Sequence, residues 1–319
     1  MEQPDMKLQD QEGNTKTAVP DMSIVLVCWN NLSYLEPCLE SLYESEMKST
    51  FDVVVVDNGS TDGSQEMLRE KYPQIQIIQN DHNVGLGKAS NQGIVATYGR
   101  HVLLLNNDTI VNGPSLDAMV NFLDANPAAA AVGGRLLNPD GSVQACYNDF
   151  PNLREEFFIA SRLGEFLWDG YPGNINEDQM CSVSWLGSAC LMVRRAAFDD
   201  VGLLDEEYFI YGDEADLQYR LKQAGWEIYF LPEVTTIHFG GRSMNRWGRR
   251  KMVYRGHMLF YRKNYGKMQT TALRTMLGGM SLAKIVMWSA VGLLPNNRER
   301  AQKELQSNVD VVRLCYRLE

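Results

Sequence analysis

Carboxylates crowd one segment of the chain, LLDEEYFIYGDEADLQYR at 203–220: Asp205, Glu206, Asp213 and Glu214, with Asp216 one helical turn further on. Acidic residues are favoured at a helix N-terminus by the backbone dipole, which by itself accounts for such a group. The interleaved aromatics Tyr208, Phe209 and Tyr211 point instead to a walled cleft. There a carboxylate can take a proton from an attacking hydroxyl. Arg220 stands four residues after Asp216 and can pair with it on one helix face.

Three other segments put polar residues behind apolar runs. LLLNNDT at 103–109 ends a buried run on Asn106, Asn107 and Asp108. One carboxylate holds Mg²⁺ or Mn²⁺ weakly, but it can share the ion with a diphosphate, because hard cations take oxygen ligands from substrate phosphates. An Asx-turn closing the strand would use the same residues. DNGSTDGS at 57–64 ends an apolar run on Asp57 and turns through glycines. Asp57 can accept hydrogen bonds from a ribose or base, or cap the helix that follows. TIHFGGRS at 236–243 sets His238 before two glycines, Arg242 and Ser243. That loop suits an anion, with neutral His238 as a second protein ligand to the metal, although a lone histidine is more often structural. NVGLGKASNQG at 83–93 lacks the third glycine of a dinucleotide fingerprint. Its turn, with Lys88, can line a nucleotide-sugar pocket, or Lys88 can be a surface charge.

The elements that must position these groups alternate. SIVLVCW at 23–29 and FDVVVVD at 51–57 are continuous apolar runs, as in parallel strands covered on both faces. IQII at 75–78 and HVLLLN at 101–106 predict two more strands. Helical stretches intervene at 32–45, 64–72 and 87–97, and Pro114 opens another at 114–127. The expected fold is α/β, a Rossmann-like mostly parallel sheet with helices on both faces. Ligands of such sheets sit at the carboxyl ends of the strands, where Asp57 and Asn106–Asp108 lie. Strands are expected further at 130–137, 185–195 and 226–232, a helix at 215–225, an irregular stretch at 150–182, and a helical region from about Trp247.

The chain has 319 residues and a net charge of −10. Its 45% hydrophobic and 22% charged content is ordinary for a globular protein and excludes a disordered or multi-span membrane chain. A strongly acidic total argues against nucleic acid as a partner. The charge is uneven: residues 249–319 hold fourteen Lys/Arg against four Asp/Glu, a net of +10. A basic tail on an acidic body suits an anionic surface such as a membrane or a phosphorylated acceptor, or is simply a solvated helical face. Residues 1–21 are polar, without the apolar run of a secretory signal, and read as a disordered leader. The six cysteines form no CxxC pair and suit buried reduced thiols in a cytoplasmic protein.

Taken together, SIVLVCWNN, VVVVDNGSTDGS, NVGLGKASNQG, LLLNNDT, the block from GSACLMVRR to LKQAGW, and HFGG resemble glycosyltransferase family 2. These are inverting enzymes of the nucleotide-diphospho-sugar transferase fold. The motifs keep the family's order over about residues 22–245. The resemblance implies a nucleotide-sugar-binding half at 22–125, an acceptor-binding half with the catalytic base at 126–246 and a basic helical C-terminal region at 247–319. It implies that Asp57 meets the donor's base or ribose, and that Asn30, Asn83, Lys88, Asn106, Asn107 and Asp108 also belong to the donor site. Asn106–Asp108 stands in the place of the family's Asp-x-Asp metal motif, with Asn106 replacing the first aspartate. Asp108 and His238 are then the ligands of a divalent metal, Mn²⁺ or Mg²⁺. Asp213–Glu214 stands where the family often has Glu-Asp. Glu214 is the first choice of base and Asp213 the second. Trp185, Leu186 and Gly187 fall in the acceptor site.

Within the family, LLNNDT and YGDEADLQYR most resemble bacterial rhamnosyltransferases of cell-surface polysaccharide assembly. That similarity implies dTDP-rhamnose as donor, with a UDP-hexose as the alternative. The acceptor would be a saccharide or a polyprenyl-diphosphate-linked saccharide. The chain is then expected in the cytoplasm, peripheral on the inner face of the membrane. A sugar-nucleotide pyrophosphorylase would carry a Gly-rich loop with Arg and Lys after the first strand, and WNNLSYLEP has neither. A non-catalytic carbohydrate- or nucleotide-binding scaffold is the reading from a different class.

Overall fold

The computed structural model describes residues 7–9, 15–17, 19–167, 178–240, 246–294 and 297–317. Within the segment expected as a leader, β1 (Lys7–Gln9) and β2 (Thr15–Thr17) form an antiparallel pair, and residues 1–6, 10–14 and 18 lie outside the described residues.

The apolar runs become central strands. β3 (Met22–Cys28), β4 (Phe51–Asp57), β5 (Gln76–Gln79) and β6 (His101–Asn106) alternate with α1 (Leu32–Tyr43), α2 (Ser64–Lys71) and α3 (Leu86–Val95). β3 lies parallel to both β4 and β6, and β5 extends the sheet beyond β4. Register sets Val27 beside Asn106 and Cys28 beside Asp57, so the polar carboxyl ends of these strands share one edge.

After β7 (Thr109–Ile110), α4 (Gly113–Ala125) starts as expected. Asn112 accepts the Ser115 N–H at 2.9 Å, and Pro114 occupies the first turn. β8 (Ala129–Leu137) leads to β9 (Tyr147–Asn148). The stretch expected to be irregular instead contains α5 (Leu153–Ser161) and α6 (Leu163–Leu167). Asn152 caps α5 by accepting the Glu155 N–H at 3.0 Å, and Glu155 and Glu156 favour its first turn. Residues 168–177 lie outside the described residues.

The run at 185–195 is not one strand. β10 (Cys181–Ser182) joins the main sheet, β11 (Trp185–Leu186) leaves it to pair with β9, and only β12 (Cys190–Arg194) crosses the centre. β12 runs antiparallel to both β6 and β8. Its entry at 187–189 therefore arrives at the carboxyl end of β6. α7 (Arg195–Val201) and α8 (Asp213–Gln223) follow. β13 (Glu227–His238), longer than expected, runs parallel to β8 and receives β7 antiparallel. The sheet order is β10-β13-β8-β12-β6-β3-β4-β5. Parallel pairs form one wing, and antiparallel β12 joins it to the second half.

One hydrophobic cluster runs from Met22 to Val234 through both halves of this sheet. A second gathers Met258, Phe260, Leu273, Leu277 and Val311 from α9 (Arg246–Phe260), α10 (Gly266–Val291) and α11 (Arg298–Arg317), with Tyr261 from the turn between α9 and α10, Ala160 of α5 and Tyr208 and Ala215. The C-terminal region is thus helical, as expected, and packs behind α8. All six cysteines are free thiols, and five are buried.

Candidate active site

The carboxyl ends of β3, β4, β6 and β13 and the entry to β12 converge on a cleft of about 580 Å³, within the usual size of a small-molecule site. Its lining includes Asn31, Asn58, Asn83, Asn106, Asn107, Asp108, Gly187, Glu214 and His238. Most residues expected from sequence are therefore brought together.

Asp108 and His238 meet because β7 pairs with β13, with His238 opposite Thr109. His238 Nε2 lies 3.4 Å from Asp108 Oδ1 and 3.4 Å from Asn106 Nδ2. The other ring nitrogen, Nδ1, faces Gln144 Oε1 at 2.9 Å. The amide nitrogen of Gln144 donates to Asn138 Oδ1 at 2.9 Å and to the His238 carbonyl, so its oxygen must face the ring. In the neutral ring Nδ1 then carries the proton, and Nε2, beside Asp108, is the nitrogen free to accept. Cis ligands of a six-coordinate Mn²⁺ or Mg²⁺ stand about 3 Å apart, so the pair fits such an ion. No group of three or more His, Cys, Asp or Glu among the described residues can hold a metal. The remaining ligands must come from elsewhere, as a diphosphate or water would supply.

The first wing supplies a hydrogen-bonded floor. Asn31 donates to Asn107 Oδ1 at 2.7 Å, and Asn80 donates to Asn58 Oδ1 at 2.9 Å. Asn83 Oδ1 accepts the Gly85 N–H at 2.9 Å, shaping the turn into α3. Three residues expected at the donor site lie outside the lining. Asp57 is fully buried, its carboxylate accepting from Gln65 Nε2 at 2.6 Å and from the Ser60 N–H. Asn30 adopts a left-handed conformation, φ 50°, and accepts the Thr61 N–H at 2.8 Å, tying the β3–α1 loop to the turn after β4. Lys88 is exposed on α3. Arg242 and Ser243 lie outside the described residues.

The carboxylate cluster divides by environment. Asp216 is held by Arg220 Nε at 2.9 Å and Asn264 Nδ2 at 2.9 Å. Asp205 pairs with Lys263, and Glu206 accepts from Asn91. Of this cluster only Glu214 lines the cleft, and Asp213 lies behind it, beside a small cavity that the two share. Tyr211 and Gly212, both left-handed at φ 64° and 101°, turn the chain sharply into α8. The Gly212 N–H donates to Glu214 Oε2 at 3.1 Å. Asp213 is buried, and its Oδ1 has no hydrogen-bond partner. Burial, and then the charge of Glu214, push Asp213 well above the usual carboxylate range.

Glu214 also lines a second cavity of about 170 Å³ with Pro151, Trp185, Tyr211 and His257. Trp185 donates its indole N–H to the Asp149 carbonyl at 3.0 Å. Leu186 is buried, both its backbone groups bonded to the Gln218 side chain at 2.8 Å. Gln218 thereby straps β11 to α8. Gln144, Gln218 and His257 carry no motif in the sequence, and Asn31 and Asn58 lie in recognised segments that did not single them out; each acts through a partner distant in the chain.

This sheet, its central antiparallel strand and the cleft at its carboxyl edge define a glycosyltransferase of the A-type fold. The family model Glycosyl transferase family 2 matches residues 23–202, and the chain belongs to that family. It is similar to the N-acetylglucosaminyl-diphospho-decaprenol L-rhamnosyltransferase of Mycobacterium tuberculosis, 32% identical over 243 residues that cover 70% of this chain and 78% of the relative. Among solved structures it is similar to the mannosyltransferase PcManGT from Pyrobaculum calidifontis in complex with GDP-Man and Mn²⁺, with a TM-score of 0.58, 15% identity and coverage of 99% and 92%. GalNAc-T7 with UDP, GalNAc and Mn²⁺ gives a TM-score of 0.58 at 15% identity, covering 96% of this chain and 57% of that one. At such identity the two structures speak for the fold.

Proposed function

We propose that the protein transfers a deoxyhexose, with inversion, from a nucleotide-diphosphate donor to a lipid-linked saccharide in cell-surface polysaccharide assembly. The best-supported donor is dTDP-rhamnose, and the acceptor a diphosphate-linked N-acetylglucosaminyl lipid. The observation that carries the reading is the position of Glu214, on the wall shared by the large cleft and the cavity beside Trp185. The rhamnosyltransferase relative supports the substrate class.

The donor lies in the cleft over the asparagine floor, and the acceptor sugar lies against Trp185. Glu214 takes the proton of the attacking hydroxyl as the new bond forms at the anomeric carbon. Burial disfavours charge on the neighbouring Asp213, which lies behind Glu214 and does not line the cleft. A single base serves a single displacement; a double displacement would need a nucleophile on the other face. Asp108 and His238 would hold a divalent ion, which when bound supplies positive charge to the leaving diphosphate.

A thermal-shift panel of dTDP, UDP, GDP and CMP with and without Mn²⁺ tests the donor. A ligand at about 100 times its dissociation constant stabilises by about 2.7 kcal/mol. Mn²⁺-dependent stabilisation by dTDP alone supports the rhamnosyl reading, and stabilisation by UDP alone moves it to a hexosyltransferase. Binding without turnover of any donor–acceptor pair leaves a carbohydrate- or nucleotide-binding scaffold.

A further inference from the structure

A third cavity, of about 380 Å³, lies away from the cleft among α5, α9, α10 and α11. Arg162, Arg250 and Lys284 line it with Met280, Ala283, Met287 and Trp288, and Glu304 is the one carboxylate in its lining. Glu304 is engaged by Arg250 at 2.9 Å. Among the described residues no carboxylate forms an ion pair with Arg162 or Lys284. Lys284 donates to the Ala160 carbonyl, and burial together with Arg250 and Arg162 holds it below the usual lysine range. Arg300 adds a further positive charge, its guanidinium 5.5 Å from the centre of the Trp288 ring. The cavity thus holds a surplus of positive charge on an apolar wall.

The adjoining surface of α10 is unusual for one facing water. From 282 to 294 the exposed residues are Leu282, Ala283, Val286, Met287, Ser289, Ala290, Leu293 and Leu294, of which only Ser289 is polar. Val286 is 73% exposed and Leu293 83%. No described helix is long and apolar enough to cross a membrane. An apolar strip edged by cations is the pattern of a helix lying in a bilayer interface.

We propose that the C-terminal half of α10, with the turn that follows it, docks flat on an anionic bilayer. Leu282, Val286, Leu293 and Leu294 enter the acyl boundary, and Arg162, Arg250 and Lys284 receive a lipid phosphate. Charge complementarity selects this occupant over a protein partner: an apolar strip alone would suit either, but the cationic cavity beside it matches a layer of phosphates. Of the many basic residues after 249, the structure singles out those around this cavity. The proposal stands independently of the reaction proposed above.

Vesicle flotation of the full chain tests it, with phosphatidylcholine alone and with added phosphatidylglycerol. The expected result is flotation with phosphatidylglycerol vesicles, weakened but not abolished by salt, because apolar insertion is not screened. Leu282→Glu and Val286→Glu should each lower partitioning about tenfold, and Arg162→Gln and Lys284→Gln about fivefold each. All four should keep the wild-type melting transition and wild-type transfer to a water-soluble acceptor. Leu282→Glu and Val286→Glu floating like wild type, or wild type floating equally with both vesicles, would overturn the docking surface. Flotation by a wild-type protein that shows no transfer would count against the proposed reaction alone.

Discussion

His238 and Gln144, 94 residues apart in the chain, meet at 2.9 Å through Nδ1 and Oε1. The contact decides which histidine nitrogen faces Asp108. A neutral imidazole has one acceptor nitrogen, and Gln144 reserves Nε2 for that role. Partners of this kind orient metal-binding histidines.

Replacing Gln144 with Leu should therefore weaken Mn²⁺-dependent nucleotide binding by about 10–100-fold. Gln144→Glu, which keeps an acceptor at Nδ1, should retain most of it. Titration of Mn²⁺ at fixed dTDP reads both effects. Equal affinity in the Leu variant and wild type would remove Gln144 from the site.

Glu214→Gln should lower the transfer rate by about 10²–10⁴-fold and leave nucleotide binding intact. Asp213→Asn should cost less, because an amide resembles the protonated acid that burial maintains. Single-turnover kinetics separate the two. A larger loss for Asp213→Asn would reverse their assignment.

His257 of α9 pairs with the buried Glu156 of α5 at 2.5 Å. Burial opposes its charge, but the Glu156 carboxylate overcomes this and raises its pKa above the ordinary 6.5. A raised histidine stabilises the fold fully below its unfolded pKa, and this contribution is lost as pH rises through the folded value. The melting temperature should fall as pH is raised above about 6.5, and His257→Gln should flatten that part of the profile. An unchanged slope in the variant would show that another group titrates there.

A Cβ on Gly256 would stand 2.2 Å from the Tyr211 carbonyl oxygen, in the strained turn that presents Glu214. Gly256→Ala must move α9 or that turn. We expect a stability loss of about 1–3 kcal/mol and a lower transfer rate, measured by denaturant unfolding and steady-state kinetics. Wild-type values for both would mean that the helix shifts without cost.

Local chemistry determined the first wing of the fold. SIVLVCW and FDVVVVD have no polar face, so they can be stable only as strands covered on both sides. Their polar ends then had to share an edge, which made Asn106–Asp108 legible as site residues. The capped helix at 153–161 was also written locally, in Asn152 and the two glutamates, but it was hidden by the Gly- and Pro-rich sequence after it. Tertiary structure alone decided the rest. It broke the apolar run at 185–195 because β11 finds a partner in β9 and β12 finds its partners in β6 and β8. It left Glu214 of the acidic cluster for the cleft by giving Asp205 to Lys263 and Asp216 to Arg220 and burying Asp213. It brought Gln144 to His238. Periodicity reports which face of an element is buried, because that depends on neighbours a few residues away. Which polar groups remain to act depends on partners tens of residues distant, and those are set only when the elements pack.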